Sequence, residues 1–146
     1  MNSESNKIHC PAWYKAVAIM ALLWNLLGLF AIMAQMLMSQ EAIDQLPQAQ
    51  QDLMESTPKW VNLAAVTAVV FGVVGCVGML LRKRWSIPTL GLSLAGVLAQ
   101  QSWMHLMSDT FEVMGPSSWI LPTLVLVISM GLLGLSILAG RRNWLT

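Results

Sequence analysis

Four long apolar runs constrain the fold of this chain more than any other feature of its sequence. The runs cover Trp13–Met38, Trp60–Leu81, Ile87–Met107 and Trp119–Ala139. Each run is long enough to cross the roughly 30 Å hydrocarbon core of a bilayer, which takes about 20 helical residues. The runs are apolar nearly all round, as expected of helices surrounded by lipid and by one another. We therefore predict an all-α fold, a single four-helix transmembrane domain over residues 1–146. The predicted helices cover about 13–38, 59–81, 86–107 and 118–140, with an outer loop at 39–58.

The composition argues against a soluble protein. Apolar residues make up 56% of the chain and charged residues only 10%, whereas about a quarter of a typical soluble domain is charged. The net charge of +1 provides no basic face for a nucleic acid. The first run is too long for a signal peptide and does not end in a small-x-small cleavage site, so we expect it to be retained.

The basic residues lie mostly on one side of the predicted topology. The N-terminal flank, the loop between the second and third runs and the C-terminal tail hold Lys7, Lys15, Arg82, Lys83, Arg84, Arg141 and Arg142. Only Lys59 lies on the other side. The positive-inside rule then predicts that both termini are cytoplasmic. Tryptophans at the ends of the runs are expected at the headgroup level, and these are Trp13, Trp60, Trp85, Trp119 and Trp144.

Capping and turn residues predict where helices begin. Thr57 is expected to cap the second helix ahead of Pro58, and Ser86 is expected to cap the third. Apolar positions on both sides of Pro47 predict one or two short helices on the outer surface within residues 39–58. This segment is either a lid over a pathway or a plain connector.

Small residues mark helix faces that can approach another helix closely. The second and third helices carry such faces at Ala68, Gly72, Cys76 and at Gly91, Ala95, Ala99. These faces either pack within the bundle or form the interface of a homodimer. Cys10 lies in the N-terminal flank and Cys76 inside an apolar run, so the two cysteines predict neither a disulfide framework nor a metal site.

Polar residues within the runs are candidates for a solute site, because each needs a partner away from water. The candidate substrate-binding residues are Trp24, Asn25, Gln35, Gln101, His105 and Asp109. The first three lie on or beside one arc of the first helix, and the last three share a face of the third helix at four-residue spacing. If the two faces meet, indole stacking and amide hydrogen bonds suit a small neutral polar solute, and His105 adds a proton-sensitive group. The alternative is that Asn25 forms an interhelical hydrogen bond and the others are the solvated ends of helices.

Several function classes lack the residues that they need. No Asp, Glu, Lys or Arg lies near the middle of a run, which argues against a proton-driven cation exporter. The paired cysteines of quinone-linked thiol oxidoreductases and the common hydrolase, zinc and phosphate-binding motifs are also missing. We therefore expect no enzyme, cofactor or metal. A membrane enzyme that uses His105 and Asp109 is the least favoured alternative.

Short motifs spread over almost the whole chain carry a resemblance to a known family. They are Pro11–Tyr14, Leu23–Gly28, Leu46-Pro47, Pro58–Trp60, Leu81–Trp85 and Met114–Pro116. In these motifs the chain resembles a group of small bacterial four-helix membrane proteins, some of which carry the label "sugar transporter". The resemblance implies a multi-pass protein of the bacterial inner (cytoplasmic) membrane and a solute such as a sugar.

Two functions therefore remain open. The first is a small transporter or permease for a small polar solute, acting as an oligomer because four helices enclose little volume. The second is a non-transporting accessory or assembly subunit that acts through its glycine and alanine faces and its acidic outer loop. The expected partners are the lipid bilayer, a second copy or another membrane protein, and a small polar solute.

Overall fold

The chain is all-helical, as the sequence predicts. A computed structural model describes residues 9–146, and Lys7 of the orientation argument lies outside the described residues. Helix makes up 82% of the structure, and none of residues 9–146 lies in a strand. The helices are α1 (Ala12–Met36), α2 (Gln40–Asp44), α3 (Gln48–Ser56), α4 (Lys59–Leu80), α5 (Ser86–Leu106), α6 (Thr110–Met114) and α7 (Ile120–Arg141), with a 3-10 turn at Pro116–Trp119 before α7.

Within the described residues, three helical segments are long and apolar enough to cross a membrane. They are α1, α4 and the segment Pro116–Arg141, which includes α7. α5 is similar in length, with 21 residues, but Gln100, Gln101 and His105 make its second half more polar. α5 packs between α4 and α7, so part of this polar surface contacts protein.

α4 and α5 form the closest helix pair, and small residues allow this approach. A Cβ atom on Gly96 would lie 2.8 Å from the carbonyl oxygen of Ala64 and 2.9 Å from the amide nitrogen of Ala68. Close contact of this kind holds helices together in lipid, where burial of apolar surface between helices gains little. The small-residue face of α4 packs within the bundle, since Ala68, Gly72 and Cys76 are all buried.

The bundle is closed at the end that holds the start of α1 and the end of α7. Tyr14, Met79 and Ala139 are fully buried at this closed end. The Tyr14 hydroxyl donates a hydrogen bond of 3.3 Å to the carbonyl of Met79. The ring of Trp144 lies edge-on to the Tyr14 ring, with 5.7 Å between centroids. Trp144 is 7% exposed and therefore belongs to the core, while its predicted depth at the headgroup level stays a prediction.

The C-terminal tail pairs with the turn between α4 and α5. The amide of Thr146 donates to the carbonyl of Arg82, and the amide of Arg84 donates to the carbonyl of Thr146 at 3.1 Å. The Arg82 Nε donates to the carbonyl of Trp144 at 2.7 Å. The Arg142 guanidinium lies 5.6 Å from the centroid of the Trp144 ring, a cation–π arrangement. These contacts fasten the end of α7 to the α4–α5 turn.

Both predicted side-chain caps are wrong, because each hydroxyl has another partner. α4 follows Pro58 and has no side-chain cap. The Thr57 hydroxyl instead donates to the carbonyl of Leu53 at 2.7 Å and so closes the end of α3. α5 also lacks a side-chain cap, and the Ser86 hydroxyl lies 3.0 Å from the hydroxyl of Ser136 on α7. A hydroxyl inside a helix bundle is away from water and needs a hydrogen-bond partner, which here the neighbouring helix supplies.

Residues 39–58, which we call the outer segment after its predicted position, contain two short helices, and this confirms the prediction of one or two short helices here. α2 and α3 lie on either side of Pro47. The Ser39 side chain caps α2 by accepting from the amide of Ala42 at 3.3 Å. Gln51 of α3 donates to the carbonyl of Leu46 at 2.8 Å. The two helices are thus joined by a compact, hydrogen-bonded turn.

Candidate functional site

A gap separates α1 from α7 away from the closed end. The two helices flank the α4–α5 pair and make no extended contact with each other. Between them lies a cavity of about 420 Å³, the main cavity, with α4 and α5 as its floor. Leu27 of α1 and Leu121 of α7 lie in its lining and are 66% and 61% exposed. The volume falls within the range of about 300–1,000 Å³ that is usual for small-molecule sites.

The lining of the main cavity is mostly apolar and contains no charged residue. Its polar side chains belong to Trp24, Asn25, Ser93, Gln100 and Ser129. Both serine hydroxyls are already bonded, since Ser93 donates to a carbonyl of α4 and Ser129 to a carbonyl of its own helix. The indole N–H of Trp24 and the carboxamide of Gln100 make no hydrogen bond within residues 9–146, so they are available to a ligand in this cavity.

Asn25 joins α1 to α4 at the floor of the main cavity. Its Nδ2 donates to the carbonyl of Ala21 at 2.8 Å and lies 3.7 Å from the sulfur of Cys76. Its Oδ1 lies against Gly72, where a Cβ atom would collide with it. The interhelical contact expected of Asn25 is therefore present, and Asn25 also lines the main cavity.

A second cavity of about 170 Å³ lies between the ends of α1, α4 and α5 that are farthest from the closed end. We call it the carboxamide cavity because Gln35, Asn62 and Gln100 line it from three different helices. None of the three carboxamides makes a side-chain hydrogen bond within the described part of the chain. Each can donate two hydrogen bonds and accept two. Gln100 and Ile32 line both cavities, so the two spaces adjoin.

The outer segment contributes to the carboxamide cavity through Met54 of α3, a half-buried residue of its lining. α3 therefore lies against the site. Both interpretations of the segment, a lid over a pathway and a plain connector, stay predictions.

The structure divides the six candidate residues among three places. Trp24 and Asn25 line the main cavity, and Gln35 lines the carboxamide cavity. Gln101, His105 and Asp109 line neither of these cavities. The two candidate faces therefore do not form one continuous site.

Gln101 and His105 take part in contacts between helices. The Gln101 side chain is buried and donates a hydrogen bond of 2.5 Å to the carbonyl of Pro122 on α7. The Nδ1 atom of His105 lies 2.8 Å from the Gln101 carbonyl. The His105 ring lies 4.7 Å from the Phe111 ring and 5.0 Å from the Trp119 ring, measured between centroids. This cluster joins the end of α5 to α6 and to the turn before α7.

Two residues of the carboxamide cavity, Asn62 and Gln100, were not among the six candidates. Gln100 neighbours Gln101 in sequence, but one residue along a helix turns the side chain by about 100°. That rotation directs Gln100 to the cavities and Gln101 to α7. The signal that could have identified both residues is their depth, because Gln35, Asn62 and Gln100 all lie in the predicted outer halves of their helices.

Among the described residues, no group of three or more His, Cys, Asp and Glu side chains is arranged to hold a metal ion. Comparison of the chain with protein-family models, curated proteins and solved structures finds no match. The functional assignment therefore depends on the chemistry of the two cavities.

Proposed function

We propose that this chain is a multi-pass protein of the bacterial inner membrane that binds and transports a small, neutral, polar solute. In this proposal α5 is a fourth transmembrane helix, whose polar side chains face α7 and the cavities instead of lipid. Both termini are cytoplasmic. In support, the basic residues Arg82 and Arg142 both contact Trp144 at the closed end, and basic residues favour the cytoplasmic side of a membrane.

The observation that carries the proposal is the convergence of Gln35, Asn62 and Gln100 on one small space. Three amides without a protein partner in residues 9–146 offer donors and acceptors together, which is the pattern that hydroxyl-bearing solutes match. No charged side chain lines either cavity. A charged solute would lose its hydration without gaining a counter-charge, so the site favours a neutral one.

The arrangement of the two cavities corresponds to one end of a transport cycle. The carboxamide cavity lies at the predicted outer ends of the helices, where Met54 covers it. The main cavity continues from Gln100 to Asn25, and the closed end blocks the path beyond. We interpret this as a form that accepts solute from the outer side, and transport then requires the closed end to open.

The test is equilibrium binding by the protein in nanodiscs to a panel of sugars, polyols and amino acids, compared with Gln100→Leu. One hydrogen bond contributes about 0.5–1.5 kcal/mol, so we expect Gln100→Leu to weaken binding by about 2- to 12-fold. Gln45→Leu is the matched control, because Gln45 is exposed on the outer segment and lines neither cavity. Uptake of the bound solute into proteoliposomes should fall with the affinity. If no solute in the panel binds, or if both variants behave alike, the proposal is wrong.

A second candidate function is that of an accessory subunit, and exposed small residues favour it. A Cβ atom placed on Gly91 of α5, or on Gly131 or Gly134 of α7, would meet no atom within 4 Å, and Ala95 is exposed. Such positions allow another helix to approach closely. Crosslinking in native membranes from a Gly91→Cys variant should then recover a different membrane protein. Recovery of this chain alone would contradict the accessory function.

A further inference from the structure

We infer that the ligand is a single-chain amphiphile, with its apolar chain in the main cavity and an uncharged, hydroxyl-bearing head in the carboxamide cavity. The inference rests on the proposed function, because the head occupies the site proposed above for the solute. It adds the chemical class of the ligand, which is a lipid-like molecule with a polyol or sugar head.

The two adjoining cavities differ in volume and in the polarity of their linings. The main cavity has mostly apolar walls and about 420 Å³ of volume, whereas the carboxamide cavity has about 170 Å³ and three amides. A small polar solute fits the second space and leaves the first unused. Water fills an apolar cavity poorly, whereas an apolar chain fills it with van der Waals contacts. A ligand with one apolar part and one polar part matches both linings.

The two cavities lie at different depths along the predicted transmembrane helices. Gln35 lies one residue from the end of α1, and Asn62 lies in the first turn of α4, so the carboxamide cavity is at the predicted interface. Gly28 and Val125 line the main cavity from the interior of α1 and α7, which corresponds to the hydrocarbon region. A membrane amphiphile places its head and its chain at these same two depths.

The main cavity is accessible from the side of the bundle, between α1 and α7, where Leu27 and Leu121 are largely exposed. In a bilayer this opening faces lipid, so an amphiphile can enter sideways without passing through water. The cavity volume lies in the lower part of the usual range of about 300–1,000 Å³, which favours one chain over the two chains of a phospholipid. The uncharged linings favour a neutral head.

The experiment uses alkyl glucosides that share one head and differ in chain length, from methyl to octyl, with the protein in nanodiscs. For the wild type we expect affinity, expressed relative to the free aqueous glucoside after uptake by empty nanodiscs is subtracted, to rise by up to about fourfold per methylene. Ala31→Phe should abolish this rise and leave methyl glucoside binding within about twofold of the wild type, because Ala31 lines the main cavity but not the carboxamide cavity. Ala34→Phe is the control, since Ala34 is exposed on the same helix and lines neither cavity.

A second variant protects the test against loss of folding. If Ala31→Phe does not fold, Ser129→Leu fills the main cavity from the opposite wall. The Ser129 hydroxyl is bonded only to its own helix, so its loss should leave the bundle intact. The same flattening of the chain-length series is expected from Ser129→Leu.

The outcomes separate this inference from the proposed function. Binding of methyl glucoside that is independent of chain length would overturn the amphiphile and leave the polar-solute site in place. A chain-length effect that survives both cavity-filling variants would also overturn it, since the chain would then lie elsewhere. Equal affinity for octyl glucoside and octyl sulfate would refute the neutral head. Absence of binding by the whole series would overturn the inference, and the solute panel would then decide the proposed function separately.

Discussion

Replacement of Gly96 by alanine tests whether direct backbone contact holds α4 and α5 together. The new Cβ atom would lie 2.8 Å from the Ala64 carbonyl oxygen and 2.9 Å from the Ala68 amide nitrogen. Both atoms belong to the backbone of a helix, so neither can rotate away, and the two helices must separate by several tenths of an ångström. Steric strain of this kind costs about 1–3 kcal/mol.

The control for this substitution is Gly91→Ala on the same helix, where a Cβ atom would meet nothing within 4 Å. Both changes gain up to about 1 kcal/mol of helix propensity, so this gain cancels in the comparison. We expect Gly96→Ala to be less stable than Gly91→Ala by about 1–3 kcal/mol.

The assay is reversible unfolding by sodium dodecyl sulfate in mixed micelles, followed by the fluorescence of the 7 tryptophans. The free energy of unfolding of both variants is compared with that of the wild type under the same conditions. Equal free energies for Gly96→Ala and Gly91→Ala would refute the close packing of α4 on α5, and with it the floor of the main cavity.

Three further experiments test other parts of the bundle. A double-mutant cycle of Ser86→Ala and Ser136→Ala should give a coupling of about 0.6 kcal/mol, because the two hydroxyls are 3.0 Å apart; strict additivity would mean that they do not bond. Gln101→Leu should lower the free energy of unfolding by about 1–2 kcal/mol, because it removes a bond to α7, and should leave solute affinity unchanged in nanodiscs. A weaker affinity would assign Gln101 to the site after all. Trp144→Ala should lower the free energy of unfolding by about 3–5 kcal/mol. The control Trp60→Ala, at a position that is 49% exposed, should change it by less than about 1 kcal/mol. Similar losses in the two variants would contradict the buried position of Trp144.

The apolar runs predicted the all-α fold because hydropathy is a property of about 20 residues together, so single exceptions matter little. α1, α4 and the segment that contains α7 satisfy this criterion in the structure. α5 does not, and the reason is visible in its contacts. Gln101 finds its partner on α7, and Gln100 lines both cavities, so the polarity of α5 reflects its central position.

The site was less predictable, because it depends on which helix each residue faces. Four-residue spacing correctly relates Gln101 to His105, since the His105 Nδ1 atom lies 2.8 Å from the Gln101 carbonyl. The same spacing contains no information about the neighbouring helix. Gln101 faces α7, and the adjacent Gln100 meets Gln35 and Asn62 at the carboxamide cavity. The two side chains differ in direction by about 100°, and this difference makes Gln101 a structural residue and Gln100 a candidate binding residue.

The predicted caps fail for a related reason. Rules for helix ends consider only nearby residues, but the partner of Ser86 is Ser136, which is 50 positions away. The Thr57 hydroxyl, in contrast, finds its partner only four residues away, at the carbonyl of Leu53. Tyr14 and the turn between α4 and α5 bury Trp144, and only the contact between distant segments reveals that burial.

Packing at the closed end also controls how far apart α1 and α7 lie at their other ends. α1 is held by buried contacts as far as Ala21 and then runs to Met36 beside the gap. Beyond Ala21, α1 packs on α4 through Asn25 and Gly28 but makes no extended contact with α7. At 1.5 Å per residue this segment is about 22 Å long, so a tilt of about 10° relative to α7 moves its far end by about 4 Å. A displacement of that size is comparable to the thickness of an alkyl chain. The width of the lateral opening is therefore set by residues that never touch the ligand, and small changes in packing around Tyr14 and Trp144 should be amplified at the mouth of the gap.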